Sequence, residues 1–81
     1  MKILQHPSFQ KELKKIKNTL RAFEVVELEK FLVSIEKNYK SGKKSSSTNI
    51  YKKGKITPYW SVVITYEYDE TQDTLIFWDI R

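Results

Sequence analysis

The chain has 81 residues, which is too few for two ordinary domains of about 100–150 residues each, so we treat residues 1–81 as one domain. It contains no cysteine and a single histidine, His6, which excludes a disulfide framework and the common cysteine and multi-histidine metal sites. Its net charge is +5, from fifteen Lys and Arg against ten Asp and Glu, and this excess favours a polyanionic partner.

We expect that the first residues do not form a targeting or membrane segment. The sequence MKILQHP reaches Pro7 after three apolar residues, whereas a secretory signal needs about 7–15 uninterrupted apolar residues. No stretch approaches the roughly 20 apolar residues of a membrane span. We therefore expect a cytoplasmic protein that works without a metal ion or a cofactor and has no membrane partner.

The first half of the chain predicts a short strand and two amphipathic helices. The strand, at Lys2–Gln5, is followed by Pro7, which suits the first turn of a helix because the N–H that proline lacks is unpaired there. A break at residues 18–19 leads to a second helix from about Arg21 to Tyr39, which Gly42 ends. Helices joined by so short a break fold back as an antiparallel hairpin. The apolar faces are Phe9, Leu13, Ile16 and Leu20, then Phe23, Leu28, Phe31, Leu32, Ile35 and Tyr39.

The second half has the two-residue period of β-strands. Residues 41–49 are polar and serine-rich and predict a mobile loop. A weak strand at residues 50–53 ends at a turn or bulge at Gly54, and the strongest strand runs from Tyr59 to Tyr68. A turn at residues 69–73 leads to a last strand at 74–80. The predicted faces of these two strands are Trp60, Val62, Ile64, Tyr66 and Tyr68, then Ile76, Trp78 and Ile80.

The element order β-α-α-β-β-β predicts an α+β fold, with a helical hairpin packed on a small antiparallel sheet that the first strand can join. One helix layer covers one face, so some aromatic side chains of the sheet remain exposed unless a partner covers them. An open sheet edge beside the last strand, which ends at Arg81, invites pairing with a partner chain or a second copy.

A basic segment is the strongest candidate site. Residues 37–66 contain seven lysines and no acidic residue, which is typical of a phosphate-binding face, although a solvated lysine-rich loop is the alternative. Lysines bind phosphates and exposed aromatic rings stack on unpaired bases, so together they favour single-stranded RNA. The candidate nucleic-acid-binding residues are Lys43, Lys44, Lys52, Tyr59 and Trp60, with Lys53 and Lys55 projecting near Gly54.

Metal-free cleavage of RNA is chemically open to such residues. A 2′-hydroxyl can attack its own phosphate if one group removes a proton, another protonates the leaving oxygen and cations stabilise the charge. Lys, Arg and Tyr side chains can do this without histidine when another machine, such as the ribosome, holds the RNA.

Two segments carry a resemblance to a known family. SVVITYEYDETQDTLIFWDIR is similar to the third and fourth strands of the RelE/ParE superfamily of bacterial type II toxins, with FWDIR similar to the Phe-Asp-Thr-Arg ending of many members. HPSFQKELKKI resembles the opening strand-to-helix segment of that superfamily. The likeness covers nearly the whole chain as pattern and order.

The resemblance implies a basic toxin that a cognate antitoxin neutralises by wrapping its surface. RelE-like members cleave mRNA in the ribosomal A site as metal-independent endoribonucleases, which implies translation inhibition here. By position, Arg81, Lys53 and Lys55 would stabilise phosphate, with Tyr66 or Tyr59 for stacking or proton transfer. ParE-like members inhibit DNA gyrase, and the absence of an arginine early in the third strand favours this alternative. A non-catalytic basic RNA-binding module is the third interpretation.

Overall fold

The computed structural model describes residues 1–81 as a five-stranded sheet with two α-helices on one face. Its elements are β1 (Lys2–Gln5), α1 (Pro7–Thr19), α2 (Ala22–Lys37), a 3-10 turn (Tyr39–Ser41), β2 (Lys43–Lys44), β3 (Ile50–Ile56), β4 (Ser61–Asp69) and β5 (Thr74–Ile80). The strand order is β1-β5-β4-β3-β2. The predicted α+β class and element order are confirmed.

The sheet differs from the predicted one in two respects. β1 pairs in parallel with β5, so the sheet is mixed rather than antiparallel. This pairing occupies residues 74–77 of β5, and the last strand is therefore an inner strand there, contrary to the predicted open edge. The edge strands are β1 and β2, and β2 lies within the segment that was predicted as a loop.

The helix ends are set by local hydrogen bonds. The Ser8 N–H donates to His6 Nδ1 at 3.2 Å, so His6 caps α1 directly before Pro7. The predicted break at residues 18–19 is displaced, because α1 continues through Thr19 and α2 begins at Ala22. The Arg21 N–H donates to Oε1 of the buried Glu24 at 2.9 Å, which satisfies a backbone donor at the start of α2.

The core lies between the helices and the covered face of the sheet. Most of the predicted apolar positions are buried, but the predicted burial of Phe23 is wrong. Phe23 lies in the first turn of α2 and is 50% exposed, and its ring meets the Tyr59 ring edge-on with 6.3 Å between their centres. The buried apolar residues are Phe9, Leu13, Leu28, Phe31, Leu32, Ile35, Tyr51, Trp60, Val62, Ile64, Tyr66, Leu75, Phe77 and Ile80.

The hairpin between β3 and β4 turns later than predicted. Gly54 stays in β3 opposite Val63, and the chain reverses at residues 57–60 instead. There the Thr57 hydroxyl oxygen accepts from the Trp60 N–H at 3.0 Å, and the Thr57 N–H donates to the Trp60 carbonyl at 2.9 Å. Pro58, between them, is the stronger turn signal, since glycine also adopts extended backbone.

A β-bulge in β5 changes the predicted face of that strand. Thr65 of β4 faces Asp79, but the next residue, Tyr66, faces Phe77, which leaves Trp78 as an extra residue. The extra residue allows Phe77 and Ile80 to point into the core although they are three positions apart. The core residues of β5 are therefore Leu75, Phe77 and Ile80, rather than the predicted Ile76, Trp78 and Ile80.

Gly42 is required by a close approach rather than by a helix end. The Tyr66 hydroxyl donates to the Tyr39 carbonyl at 2.5 Å and accepts from the Gly42 N–H. A Cβ on Gly42 would overlap that hydroxyl oxygen and lie 3.1 Å from the Lys52 carbonyl oxygen. The 3-10 turn therefore packs against β3 and β4 only with glycine at position 42.

We expect Gly42→Ala to lower the free energy of unfolding by about 1–3 kcal/mol, because the added methyl group must displace a buried, hydrogen-bonded Tyr66. Urea unfolding followed by circular dichroism measures this loss. Gly54→Ala is the matched control, since a Cβ there meets nothing closer than 3.6 Å. The control should be neutral or up to about 1 kcal/mol more stable, and an undisturbed Gly42→Ala variant would contradict the packing.

Tyr68 and Asp73 are linked across the β4–β5 hairpin. The Tyr68 hydroxyl donates to Asp73 Oδ1 at 2.5 Å, and this bond raises the pKa of Tyr68 to about 12 and lowers the pKa of Asp73. The contribution of Tyr68 to stability is thus present below pH 10 and is lost as the pH rises through 12. That of Asp73 is present above its ordinary pKa and is lost as the pH falls through the lowered value.

We predict that one tyrosine signal, assigned by Tyr68→Phe, titrates near pH 12 in an alkaline ultraviolet or NMR titration. Asp73→Asn should move that titration toward pH 10, because the carboxylate that disfavours the phenolate is removed. An unchanged Tyr68 titration in Asp73→Asn would exclude the hydrogen bond as the cause.

Candidate nucleic-acid interface

The strand register divides the predicted site residues between two faces of the sheet. Neighbouring side chains along a strand point to opposite faces, and residues directly opposite in paired strands share a face. Lys53 pairs with the buried Ile64 and therefore belongs to the helix-covered face. Lys52 pairs with Thr65 and belongs to the open face. The predicted lysine pair and Arg81 are thus not brought together.

Lys53 and Lys55 lie on the helix side. The Lys53 ammonium donates to Ser41 Oγ at 2.7 Å and lies 5.8 Å from the centre of the Phe31 ring, so it is half-buried against α2. Lys55 lines a cavity of about 520 Å³ between α2 and the β3–β4 turn, together with Phe31 and Tyr59. Tyr59 is 70% exposed at this cavity.

The open face carries a different basic set. Lys43, Lys52, Thr65 and Asp79 are successive partners in β2, β3, β4 and β5, so they form one row across the sheet. With neighbouring strands about 4.8 Å apart, this row spans roughly 14 Å. The row has two lysines at one end, the neutral Thr65 next to them and the acidic Asp79 at the other end.

Arg81 lies one row further along the same face. Its backbone exchanges two hydrogen bonds with Val63, at 2.9 and 3.1 Å, which fixes its position beside β4. Its side chain is 85% exposed and its Nε donates to Asp79 Oδ2 at 2.8 Å. Lys52, Asp79 and Arg81 line one groove of about 460 Å³, with Ser8, Val63, Thr65 and Trp78. This groove brings together the cations that can bind a phosphate chain.

The predicted aromatic candidates of β4 are in the core. Tyr66 is fully buried, with its hydroxyl bonded to the Tyr39 carbonyl, and burial raises its pKa, so it stays neutral at physiological pH. Trp60, directly before β4, is 8% exposed. Neither ring is free to stack on a base. Lys44 pairs with the buried Tyr51 and so belongs to the helix side.

Among the groove residues, Trp78 is one of the aromatic side chains that the sequence predicts as surface of the sheet and Asp79 is one of its candidate carboxylates, but neither of them, nor Thr65, was predicted as a site residue. Period-two alternation with Lys52 would have placed Thr65 on its face once the β3–β4 register was known. The bulge that adds Trp78 to this face has no glycine or other signal in the sequence.

Comparison with known proteins identifies the fold. No protein-family model and no curated protein matches the sequence. The structure is similar to a chain of the intact E. coli RelBE toxin–antitoxin complex, with a TM-score of 0.70, 98% of this chain and 92% of that chain covered, and 14% sequence identity. The chain has a RelE-like fold. In this chain the two helices lie on one face of the sheet and the groove lies on the other.

Two further findings concern the helices and the potential metal ligands. Neither helix has the length and apolar character that a membrane-spanning helix needs. No group of three or more His, Asp and Glu side chains is arranged to hold a metal ion.

Proposed function

We propose that this chain is the toxin of a type II toxin–antitoxin pair and that it inhibits translation by cleaving mRNA on the ribosome. The observation that supports it best is the groove on the open face of a RelE-like sheet, which Lys52, Asp79 and Arg81 line together. The similar solved structure is described as a toxin–antitoxin complex, so a cognate antitoxin is the protein partner that we propose. The target is ribosome-bound mRNA in the cytoplasm.

The proposed reaction is a metal-independent transesterification. The 2′-hydroxyl oxygen attacks the adjacent phosphorus, a 2′,3′-cyclic phosphate forms, and the bond to the departing 5′-oxygen breaks. We assign acceptance of the 2′-hydroxyl proton to the Asp79 carboxylate and donation of a proton to the 5′-oxygen to the Lys52 ammonium. Arg81 stabilises the charge on the non-bridging phosphate oxygens through a charge-assisted hydrogen bond.

The two faces lead us to revise the assignment that the family resemblance implies. Lys53 and Lys55 are on the helix side, with Lys53 engaged by Ser41 and Phe31. A phosphate in the open groove therefore meets Lys52 and Arg81 instead. We assign Lys43 an accessory contact, because it shares the face of Lys52 at the edge of the sheet.

The test is induced expression in a bacterial host, with growth and the integrity of mRNA near start codons followed together. Growth arrest with ribosome-dependent cuts is the expected result. Arrest with intact mRNA and a DNA-damage response would replace the proposal with gyrase inhibition. No arrest by soluble, folded protein would leave a binding module without catalysis.

A further inference from the structure

Trp78 is the one large aromatic side chain that lines the groove, and it lies in the β-bulge of β5. As the extra residue of the β5 bulge, it stands beside Asp79 on the open face, while Phe77 and Ile80 on either side of this pair enter the core. Bulges next to functional sites commonly redirect a side chain. Without the extra residue, strict alternation would leave Trp78 and Ile80 on one face, and either the core would lose Ile80 or Trp78 would be buried.

The indole ring has a fixed orientation. Its Nε1–H donates to Glu67 Oε1 at 2.9 Å, and its centre lies 5.1 Å from that of the His6 ring at an angle of 41°. His6 is itself held as the cap of α1, and the Ser8 hydroxyl donates to the Trp78 carbonyl at 3.2 Å. Trp78 nevertheless remains 36% exposed. A ring that is held in place and still open to solvent loses little entropy when a ligand covers it.

We propose that Trp78 is the stacking platform for one unpaired base of a single-stranded RNA whose neighbouring phosphates contact Lys52 and Arg81. The inference rests on the proposed function and names the substrate chemistry that this groove selects. Stacking needs a base that is free of a duplex, so paired RNA is excluded. Every base has a π-face, so the platform supports binding without a strong base preference.

The position of the cations supports this choice of ligand. Arg81 and Lys52 line the same groove as Trp78, and the Arg81 side chain is almost fully exposed. In the free protein the Asp79 carboxylate is paired with Arg81, whereas the Glu67 carboxylate accepts a hydrogen bond from the neutral indole N–H and keeps its charge. A single-stranded polyanion with exposed bases can contact both the cations and the Trp78 ring, whereas a simple anion contacts only the cations.

The test compares two probes on the full-length protein at low salt: a fluorescein-labelled uridine hexanucleotide and inorganic tripolyphosphate, which has charge but no base. Trp78→Ala should weaken hexanucleotide binding roughly 5- to 100-fold, as expected for one lost stacking contact, and leave tripolyphosphate binding unchanged. Trp78→Phe should retain most of the affinity. RNA should also quench tryptophan emission in the wild type and not in Trp78→Phe, because the remaining Trp60 is buried.

Phe23→Ala is the matched control, since Phe23 is an exposed aromatic residue on the helix side, and it should bind both probes normally. Wild-type affinity of Trp78→Ala for the hexanucleotide would overturn the stacking role, while loss of that affinity in Lys52→Ala would keep the proposed function. Equal weakening of both probes by Trp78→Ala would also overturn it, because Trp78 would then only support the groove. A wild-type protein that binds tripolyphosphate but not the hexanucleotide contradicts it as well.

Discussion

The variant with both Lys52 and Arg81 replaced by alanine is expected to lose growth inhibition and to keep its fold. Lys52 is an exposed residue on the uncovered face, and Arg81 is paired only with Asp79 at the surface, so both replacements should cost little stability. Removing one preorganised donor from a transition-state charge typically slows a reaction about 10²- to 10³-fold. We therefore expect mRNA cleavage to fall at least about 100-fold, as measured by growth after induction and by mapped transcript ends.

Two double variants make this result specific to the groove. Lys11→Ala with Lys14→Ala removes the same charge from the exposed side of α1 and should remain toxic. Lys53→Ala with Lys55→Ala removes the lysines of the helix side and should also remain toxic. If the Lys53/Lys55 variant alone lost toxicity while folded, the site would lie at the cavity beside α2, and the roles of Lys53 and Lys55 that the family resemblance implies would stand.

Phe77→Ala is expected to leave a large part of the protein unfolded at 37 °C. Phe77 is fully buried in β5, stacks on Phe9 at 5.1 Å and lies 6.2 Å from the Tyr66 ring. Truncating a buried phenylalanine costs about 3–5 kcal/mol. Since small domains often have stabilities near the lower end of about 5–15 kcal/mol, this loss removes most of the free energy of unfolding. Circular dichroism with urea titration measures it directly.

Ile56→Ala is the matched control for that experiment. Ile56 is at the end of β3 and is 88% exposed, so truncation should change the free energy of unfolding by no more than about 0.5 kcal/mol. A Phe77→Ala protein as stable as Ile56→Ala would show that β5 does not hold the helices on the sheet as described.

Local periodicity was sufficient to predict most of the secondary structure. Pro7 and the helical spacing of Phe9 and Leu13 predicted α1, and the alternation of Val62 and Ile64 predicted β4 and its buried face. These features depend on neighbouring residues alone. The α+β class followed from the element order, since two amphipathic helices and an alternating sheet must cover one another.

Features that depend on pairing between distant strands were not predictable. The bulge at Trp78 is defined by the register of β5 against β4, and the short strand at Lys43–Lys44 exists only because β3 offers it an edge. Gly54 was interpreted as a turn because glycine is a general breaker, yet Pro58 marks the real reversal. The pattern within one strand does not reveal such choices.

The candidate site also depends on a strand register that the sequence does not reveal. The sequence identified a basic segment at residues 37–66 and, through the family resemblance, Arg81; Arg81 and Lys52 of that segment lie on the open face. It could not decide between Lys52 and Lys53, because a shift of one residue exchanges the faces of a strand. Only the register, with Lys52 opposite Thr65 and Lys53 opposite the buried Ile64, separates the groove from the core.

The most direct measurement is cleavage of a defined mRNA by the purified protein with and without bacterial ribosomes paused at a known codon, followed by mapping of the 5′ ends. We predict cuts within the exposed codon that require ribosomes, proceed in the presence of a metal chelator and disappear with the Lys52/Arg81 double variant. If the folded wild-type protein binds the ribosomes and the mRNA stays intact, the proposed activity is contradicted. Cuts of equal strength from the double variant would contradict the assignment of the groove as the active site.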